Sequence, residues 1–311
     1  MSSEVGNSYS AWGGGFRGPE RSSHPRVIVD YDVRTPSQAV GPHRSVLAMQ
    51  WSQIIPFVVL LAFPASTWAA PETAAEIEQC VRDNLPRKNS VQTVFFRSTN
   101  RVGEVTGSDA TIHWKMFDDG LSKVLLRFTR PEDMRGAGVL LIEDQGRRPD
   151  TFMYLPELGK VRRVSSRSAA SSLFGTDFSY EDFERLVGMS SDASKERVAD
   201  TKVGGREVYV VVGRPDPESG SAYERVVVFI DKETCVPLRT ESYEPGDELR
   251  KLLTADSSKI EREGTLWVPR QQTMKDLRDE TQTDLVIEQI DIDAKIHRKM
   301  FSARELEAGA R

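Results

Sequence analysis

The spacing of apolar residues changes from a helical to a strand-like period early in the chain's globular part. Ile77, Cys80 and Val81 fall at helical spacing, which predicts a helix over residues 72–84 that Pro86 ends. After this helix, apolar and polar residues mostly alternate, which is typical of half-buried strands. The folded part is therefore predicted to begin with one helix and to continue as a β protein.

The alternating segments are short and are separated by turn signals such as Asp118-Asp119-Gly120. Strands that recur about every 8 to 12 residues indicate an antiparallel sandwich or barrel. The predicted fold is mainly β, a large, antiparallel, strongly curved open β-barrel that short helices cover or plug. The predicted strands span residues 90–98, 111–117, 121–128, 139–143, 151–155, 160–165, 194–200, 206–212, 223–230, 237–243, 249–260, 266–275 and 283–292.

Two further helical segments interrupt or end the strand pattern. Residues 168–175 are small and flexible in composition, and Ser179 then opens a short helix that runs to Val187. Ser179 is a good N-cap, and Asp182 stands three residues later, close to a capping box. Residues 302–306 predict a last helical turn. We expect these helices to cover the open apolar face of the sheet.

An apolar run at residues 54–63 stands inside a polar stretch, and small residues follow it up to Ala70. An apolar core followed by small residues is the layout of a secretory signal peptide. We place the signal peptide at residues 49–69, with cleavage near Ala69, and expect a periplasmic protein. The alternative is an uncleaved anchor, although the run is shorter than the roughly 20 apolar residues that a membrane span needs.

The segment before the signal peptide, residues 1–48, is rich in Gly, Ser, Pro and Arg and has no sustained apolar period. This composition is typical of disorder. A signal peptide normally stands at the N-terminus, so the alternative is that translation begins at Met49. Residues 70–311 are long enough for a single domain with a substantial core.

Charge and cysteine content narrow the range of partners. The net charge of −5 argues against nucleic acid. The two cysteines are Cys80 and Cys235. In an oxidising compartment they either form a disulfide or remain two separate buried thiols, and both readings stay open because the Cα separation decides between them.

The sequence offers little chemistry of the kind that enzymes use. The segment after the signal peptide has two histidines, His113 and His297, and neither has metal-ligand spacing to another histidine or cysteine. There is no phosphate-binding loop and no dinucleotide fingerprint. We therefore predict no enzymatic activity, no catalytic residue, no metal and no cofactor. A hydrolase that uses carboxylates alone stays an alternative, because acidic residues are too numerous to single out.

Two neighbouring segments carry the most specific signal. Residues 152–164 read FMYLPELGKVRRV, and residues 174–183 read FGTDFSYEDF. These segments resemble the LolA-like outer-membrane lipoprotein-sorting family, in a branch with a Tyr-Leu-Pro hairpin, a basic strand and a Gly-Ser/Thr-Asp-Phe-Ser/Thr-Tyr-Glu-Asp segment. Residues 128–136 and 236–239 fit the same pattern. The resemblance covers about residues 70–306.

The resemblance implies an open β-barrel lined with apolar residues, as in the carrier LolA, the outer-membrane receptor LolB and the sensor RseB. It implies a periplasmic carrier of a hydrophobic ligand, either lipoprotein acyl chains or another lipid, for transfer toward the outer membrane. Docking partners would be an inner-membrane transporter or an outer-membrane receptor. The alternative is an RseB-like envelope sensor or scaffold that binds a membrane protein. No catalytic residue or cofactor comes with the family.

A hydrocarbon ligand needs an apolar cavity and no polar chemistry, since each buried methylene contributes about 0.8 kcal/mol. Large apolar residues near the two specific segments and in the first strands are the candidates for its lining. The alternative is that these residues fill a packed core, because strand alternation marks a face but does not show whether it is hollow. The candidate lining residues are Phe95, Trp114, Leu125, Phe152, Phe174 and Phe178.

Overall fold

A computed structural model of the chain describes residues 73–190 and 192–308. All of them belong to one compact unit, Ser66–Arg311. The predicted extension at residues 1–48 and the predicted signal peptide at residues 49–69 lie outside the described residues. The expectations of disorder, export and cleavage near Ala69 therefore stay predictions.

Most of the described chain forms β-strands, and their bounds agree closely with the alternating segments of the sequence. The strands are β1 (Asn89–Thr99), β2 (Val105–Met116), β3 (Ser122–Arg130), β4 (Gly138–Asp144), β5 (Arg147–Leu155), β6 (Lys160–Arg163), β7 (Asp192–Val203), β8 (Arg206–Pro215), β9 (Arg225–Asp231), β10 (Pro237–Glu244), β11 (Glu248–Ala255), β12 (Ile260–Glu263), β13 (Leu266–Pro269), β14 (Gln271–Asp276) and β15 (Thr281–Asp291).

Thirteen of these strands form one antiparallel sheet in the order β6-β5-β4-β3-β2-β1-β15-β14-β11-β10-β9-β8-β7. The sheet is strongly curved and does not close, since β6 and β7 each have a neighbour on one side alone. The predicted fold class, a curved antiparallel open barrel, is confirmed. The β6 edge reads Lys-Val-Arg-Arg, and such charges protect an unpaired strand edge from pairing with another chain.

In the part of the chain that the structure describes, three α-helices accompany the sheet: α1 (Ala74–Asp83), α2 (Tyr180–Leu186) and α3 (Ala303–Ala308). Each of the first two begins with a capping box, Thr73 with Glu76 and Ser179 with Asp182, so the predicted cap at Ser179 is confirmed. We call the face of the sheet that α1 and α2 cover the inner face. The opposite, outer face carries α3.

Two predicted strands, residues 249–260 and 266–275, are wrong as single strands. Strand β11 ends at Ala255, where the Asp256 carboxylate accepts hydrogen bonds from the Ser258 amide and hydroxyl and forms a tight turn. Strands β12 and β13 then form a separate two-stranded hairpin around Gly264. Alternation continues through both breaks, so the period alone did not reveal that the chain leaves the main sheet.

The inner face over β1–β4 is a solid apolar core. Phe96 packs against Phe128 and Phe178, with ring centroids 5.7 and 6.3 Å apart. Phe183 of α2 belongs to the same buried cluster. On the outer face, the α3 side chain of Leu306 packs with Leu125, Leu140, Tyr154 and Phe301 in a second cluster.

Helix α1 is fixed to the inner face of β8 and β9 at two points. Ile77 is fully buried against Tyr209 and Ile230. One turn further on, Cys80 forms a disulfide with Cys235 in the turn that follows β9, with Cα atoms 5.8 Å apart. The helix is therefore held by a covalent bond as well as by packing.

Candidate ligand cavity

A cavity of about 230 Å³ lies on the inner face, beside the solid core. Inward side chains of β8, β9, β10, β11, β14 and β15 form its floor, and α1, α2 and the β12–β13 hairpin form its roof. The apolar floor includes Val211, Val228, Leu253, Met274, Leu285 and Ile287. Walls of this kind favour a hydrocarbon ligand, because removing apolar surface from water is their main contribution to binding.

The floor follows from the register of the sheet. Val228 lies opposite Thr240, Thr240 opposite Leu253, and Leu253 opposite Met274 on four successive strands. Residues that are directly opposite each other in an antiparallel pair share a face, so these four side chains form one row across the inner face. Val227, the residue before Val228 on β9, lies on the outer face in another buried cluster. The inward and the outward side chains of β9 are therefore both apolar because both are buried.

The hairpin roof is fastened by one side chain at the end of α1. The Asn84 side-chain nitrogen Nδ2 donates to the Trp267 main-chain carbonyl oxygen at 2.9 Å. The Trp267 main-chain N–H donates to the Asn84 side-chain oxygen Oδ1 at 2.7 Å. Asn84 thus satisfies both main-chain groups of one hairpin residue, as a neighbouring strand would do. Trp267, Val268 and Pro269 complete the roof of the cavity.

A buried polar network fixes α2 above the cavity. The Asp182 carboxylate accepts hydrogen bonds from the Tyr223 hydroxyl and the Lys251 ammonium, both at 2.9 Å. It also accepts one from the Ser179 amide at 2.8 Å, which completes the cap of the helix. Burial raises the pKa of Tyr223 well above its usual value, and the charge of Asp182 adds to the shift.

The segment before α2 is tied to the sheet as well. The Asp177 carboxylate accepts hydrogen bonds from the hydroxyls of Thr281 and Thr283 on β15, and the Asp177 carbonyl oxygen accepts one from Lys251 at 2.7 Å. The specific FGTDFSYEDF segment therefore acts in the structure as an anchored plug. Its polar residues hold α2 in place, and its phenylalanines fill the core.

The cavity opens beside a polar cleft of about 760 Å³. Cavity and cleft share Arg82, Ser190, Asp192 and Lys195. Within the cleft, Glu143 accepts hydrogen bonds from both Arg82 and Arg87, at 3.0 and 2.7 Å. The apolar cavity therefore meets a charged surface at its mouth.

One of the six candidate lining residues, Trp114, lines the cavity. Phe178 is 1% exposed and belongs to the packed core of the inner face, and Phe174 packs against that core at 5.2 Å from Phe128. These two rings occupy the space that a ligand would need at this end of the sheet. Phe174 and Phe178 therefore fill a packed core, which is the alternative that the sequence analysis left open.

Phe95, Leu125 and Phe152 lie on the outer face. The Phe95 ring lies over Gly107, and Leu125 and Phe152 pack in the cluster beneath α3. Side chains alternate between faces along a strand, so a shift of one position moves a residue from one face to the other. The sequence did not show that both faces of β3 and β5 are covered.

Sequence reasoning missed the floor residues on β8–β11, β14 and β15. A signal for the β9 part was present, since Val226 to Ile230 is apolar without alternation and so predicts a strand that is buried on both faces. Nothing in the sequence distinguished the hollow end of the inner face from the filled end. The volume of the helices and the position of the plug decide this.

No group of three or more His, Cys, Asp or Glu side chains in the described ranges could hold a metal ion. His113 lies on the outer face of β2, one position before Trp114, and it is half-buried. Burial lowers the pKa of His113, and the charge of Arg127 lowers it further. Within the same ranges, no helix is both long enough and apolar enough to cross a bilayer.

The fold is that of LolA-like proteins. A putative outer membrane lipoprotein-sorting protein domain from Vibrio parahaemolyticus matches with a TM-score of 0.67 and 23% identity, over 75% of this chain and 97% of that one. A DUF1329 family protein from Desulfovibrio piger matches with a TM-score of 0.68 and 23% identity, over 74% and 96%. A LolA superfamily protein from Nitrosomonas europaea matches with a TM-score of 0.59 and 16% identity, over 75% and 98%.

The chain belongs to a family whose model carries the description "Uncharacterized protein" and matches residues 120–308. No curated protein matches the chain. The resemblance to LolA-like proteins that the sequence indicated is confirmed by the fold.

Proposed function

We propose that residues 70–311 form a periplasmic carrier that binds one hydrocarbon chain of a lipid or lipoprotein in the inner-face cavity. The apolar cavity between the sheet, α1, α2 and the hairpin is the observation that carries this proposal. The LolA-like fold, the predicted signal peptide and the disulfide support it. Binding requires no catalytic group.

The size of the cavity limits the ligand. Its volume of about 230 Å³ lies below the roughly 300–1,000 Å³ of pockets for drug-sized molecules. A cavity of this size favours part of a single acyl chain over the several chains of a complete lipid anchor. Each methylene group that the cavity removes from water contributes about 0.8 kcal/mol before ordering costs.

The cleft at the mouth gives the ligand a direction. Five basic side chains (Arg82, Arg87, Arg147, Arg148 and Lys195) and five acidic ones (Glu143, Asp144, Asp192, Asp216 and Glu218) line it. A polar head group remains hydrated there while the chain enters the cavity. An amphiphile therefore fits the two adjoining surfaces better than a wholly apolar molecule, whose remaining length would be exposed to water.

The test is direct binding of a fluorescent fatty acid, together with native mass spectrometry of gently purified protein. We expect wild-type protein to bind the probe and to carry lipid. Leu253→Trp fills the cavity from its floor and should abolish binding. Leu252→Trp, on the same strand but on the opposite face, is the matched control and should bind normally.

Two results would overturn the carrier proposal: a wild-type protein that neither binds the probe nor carries lipid, or a Leu253→Trp variant that binds as well as Leu252→Trp. The sensor or scaffold alternative, with a membrane protein as partner, stays a prediction. A docking transporter or receptor likewise stays a prediction.

A further inference from the structure

Three polar side chains of the sheet are more than nine-tenths buried in the wall of the apolar cavity. Thr240 and Ser242 lie on the inner face of β10, and Gln92 lies on the inner face of β1. They are 8%, 4% and 7% exposed. Among the residues that the structure describes, none of the three side chains has a hydrogen-bond partner.

In the described residues, the polar atoms that are both fully buried and unpaired do not include theirs, so the cost arises when a hydrocarbon ligand covers them. Burying a hydroxyl or amide without a partner is unfavourable, and most buried polar side-chain atoms in proteins are paired. Valine has nearly the shape of threonine and would line the cavity without this cost. The other residues of the same row, Val228, Leu253 and Met274, are apolar as a hydrocarbon site requires. Thr240 is thus the polar member of this row, and Ser242 and Gln272 are further polar side chains of the floor.

We infer that the cavity selects acyl chains that carry a hydroxyl group within their hydrocarbon part. This inference rests on the proposed carrier function and specifies its ligand. A chain hydroxyl can donate to one side-chain oxygen and accept from another, so it satisfies Thr240 or Ser242 whichever way each hydroxyl is turned. The two residues are successive inward positions, about 7 Å apart along the strand. A hydroxyl that passes along β10 therefore has two successive partners.

The polar groups in the wall are distinct from the polar cleft at the mouth. None of the three residues lines the cleft, which meets the cavity at Arg82, Ser190, Asp192 and Lys195. A ligand whose head group occupies the cleft thus brings its chain, and not its head, to Thr240 and Ser242. We therefore expect the hydroxyls of Thr240 and Ser242 to bind a polar group on the chain and not the head group.

The experiment is competition against the fluorescent fatty acid. Unlabelled stearic acid is compared with hydroxystearic acids that carry the hydroxyl at mid-chain. A hydrogen bond between neutral groups is worth about 1 kcal/mol net, so we expect the best hydroxystearic acid to compete about fivefold more strongly. Thr240→Val and Ser242→Ala should remove this preference, because each substitution removes the hydroxyl that pairs with the chain.

Thr111→Val is the matched control, because Thr111 lies on the outer face of β2 and does not line the cavity. It should keep the preference. Equal competition by stearic and all the hydroxystearic acids in wild-type protein would overturn the inference but leave the carrier proposal intact. Failure of the probe to bind at all would instead overturn the carrier proposal. The wild-type comparison needs no variant, so a misfolded variant does not prevent the decision.

Discussion

At the scale of single residues, Lys251 joins the plug to the sheet by charge. Its ammonium lies between the Asp177 carbonyl oxygen and the Asp182 carboxylate, and its side chain is 10% exposed. Two opposite charges removed from water stabilise a fold only when both are present, since either one alone remains buried and unpaired. The plug therefore depends on Lys251 although Lys251 lies far from it in sequence.

We predict that Lys251→Met lowers the free energy of unfolding by about 3 kcal/mol, because it leaves the Asp182 charge buried without its partner. Urea unfolding measures this. Arg135→Met is the control, since Arg135 pairs with Glu132 at an exposed site and such pairs are worth about 0–1 kcal/mol. Equal losses in the two variants would show that the buried network does not hold the plug.

His113 gives the molecule a predictable response to pH. Its pKa is lowered in the folded state by burial and by Arg127, so below pH 6.5 the unfolded chain binds a proton more readily than the folded one. Stability is therefore lost as the pH falls from 6.5 toward the lower, folded-state value. We predict that His113→Gln reduces this loss, measured by urea unfolding at several pH values.

The control for the histidine prediction is His297→Gln, the same substitution at an exposed position. It tests whether any effect comes from the change of side chain itself. If His113→Gln leaves the pH dependence of stability as steep as in wild-type protein, the buried imidazole does not contribute to it.

At the scale of elements, the β12–β13 hairpin is a roof that the Asn84 side chain ties to the end of α1. It is a two-stranded unit outside the main sheet, and two-stranded hairpins are marginal by themselves. The two hydrogen bonds between Asn84 and Trp267 add about 2 kcal/mol to its attachment. Both Trp267 and Asn84 line the cavity, so we predict that a ligand enters and leaves when this roof opens.

We predict that Asn84→Ala speeds hydrogen exchange of residues 260–269 and dissociation of the bound probe, each by about tenfold or more. Gln79→Ala removes an exposed side chain of the same helix that bonds within α1, and it should change neither rate. Exchange that accelerates throughout the main sheet would mean that Asn84 stabilises the whole fold and not the hairpin.

The sequence predicted elements better than it predicted their partners. The helix cap at Ser179 and most strand bounds depend on neighbours in the chain, and local patterns encode them. The hairpin was missed because the chain leaves the main sheet without changing its period. The cavity was misplaced for a similar reason: Phe178 and Trp114 share the inner face, and three-dimensional packing alone fills one end and leaves the other hollow.

At the scale of the whole molecule, the disulfide between Cys80 and Cys235 links the first helix to the turn after β9, the third strand from the β7 edge of the sheet. The two residues are 155 positions apart, so the crosslink restricts a long loop in the unfolded chain. For a loop of this length, the entropy that the crosslink removes from the unfolded chain stabilises the fold by as much as about 5 kcal/mol. The same bond holds α1, which contributes Glu78 and Val81 to the cavity, against the sheet.

We predict that a double variant, Cys80→Ala with Cys235→Ala, unfolds with a free energy about 2–5 kcal/mol lower than wild-type protein and binds the fatty-acid probe more weakly. The two effects have one cause, since α1 is both the crosslinked element and part of the roof. A reducing agent should reproduce both effects in wild-type protein and have none on the double variant. Weaker stability with unchanged probe affinity would show that the packing of Ile77 is sufficient to hold α1 over the cavity, and that the disulfide serves the fold alone.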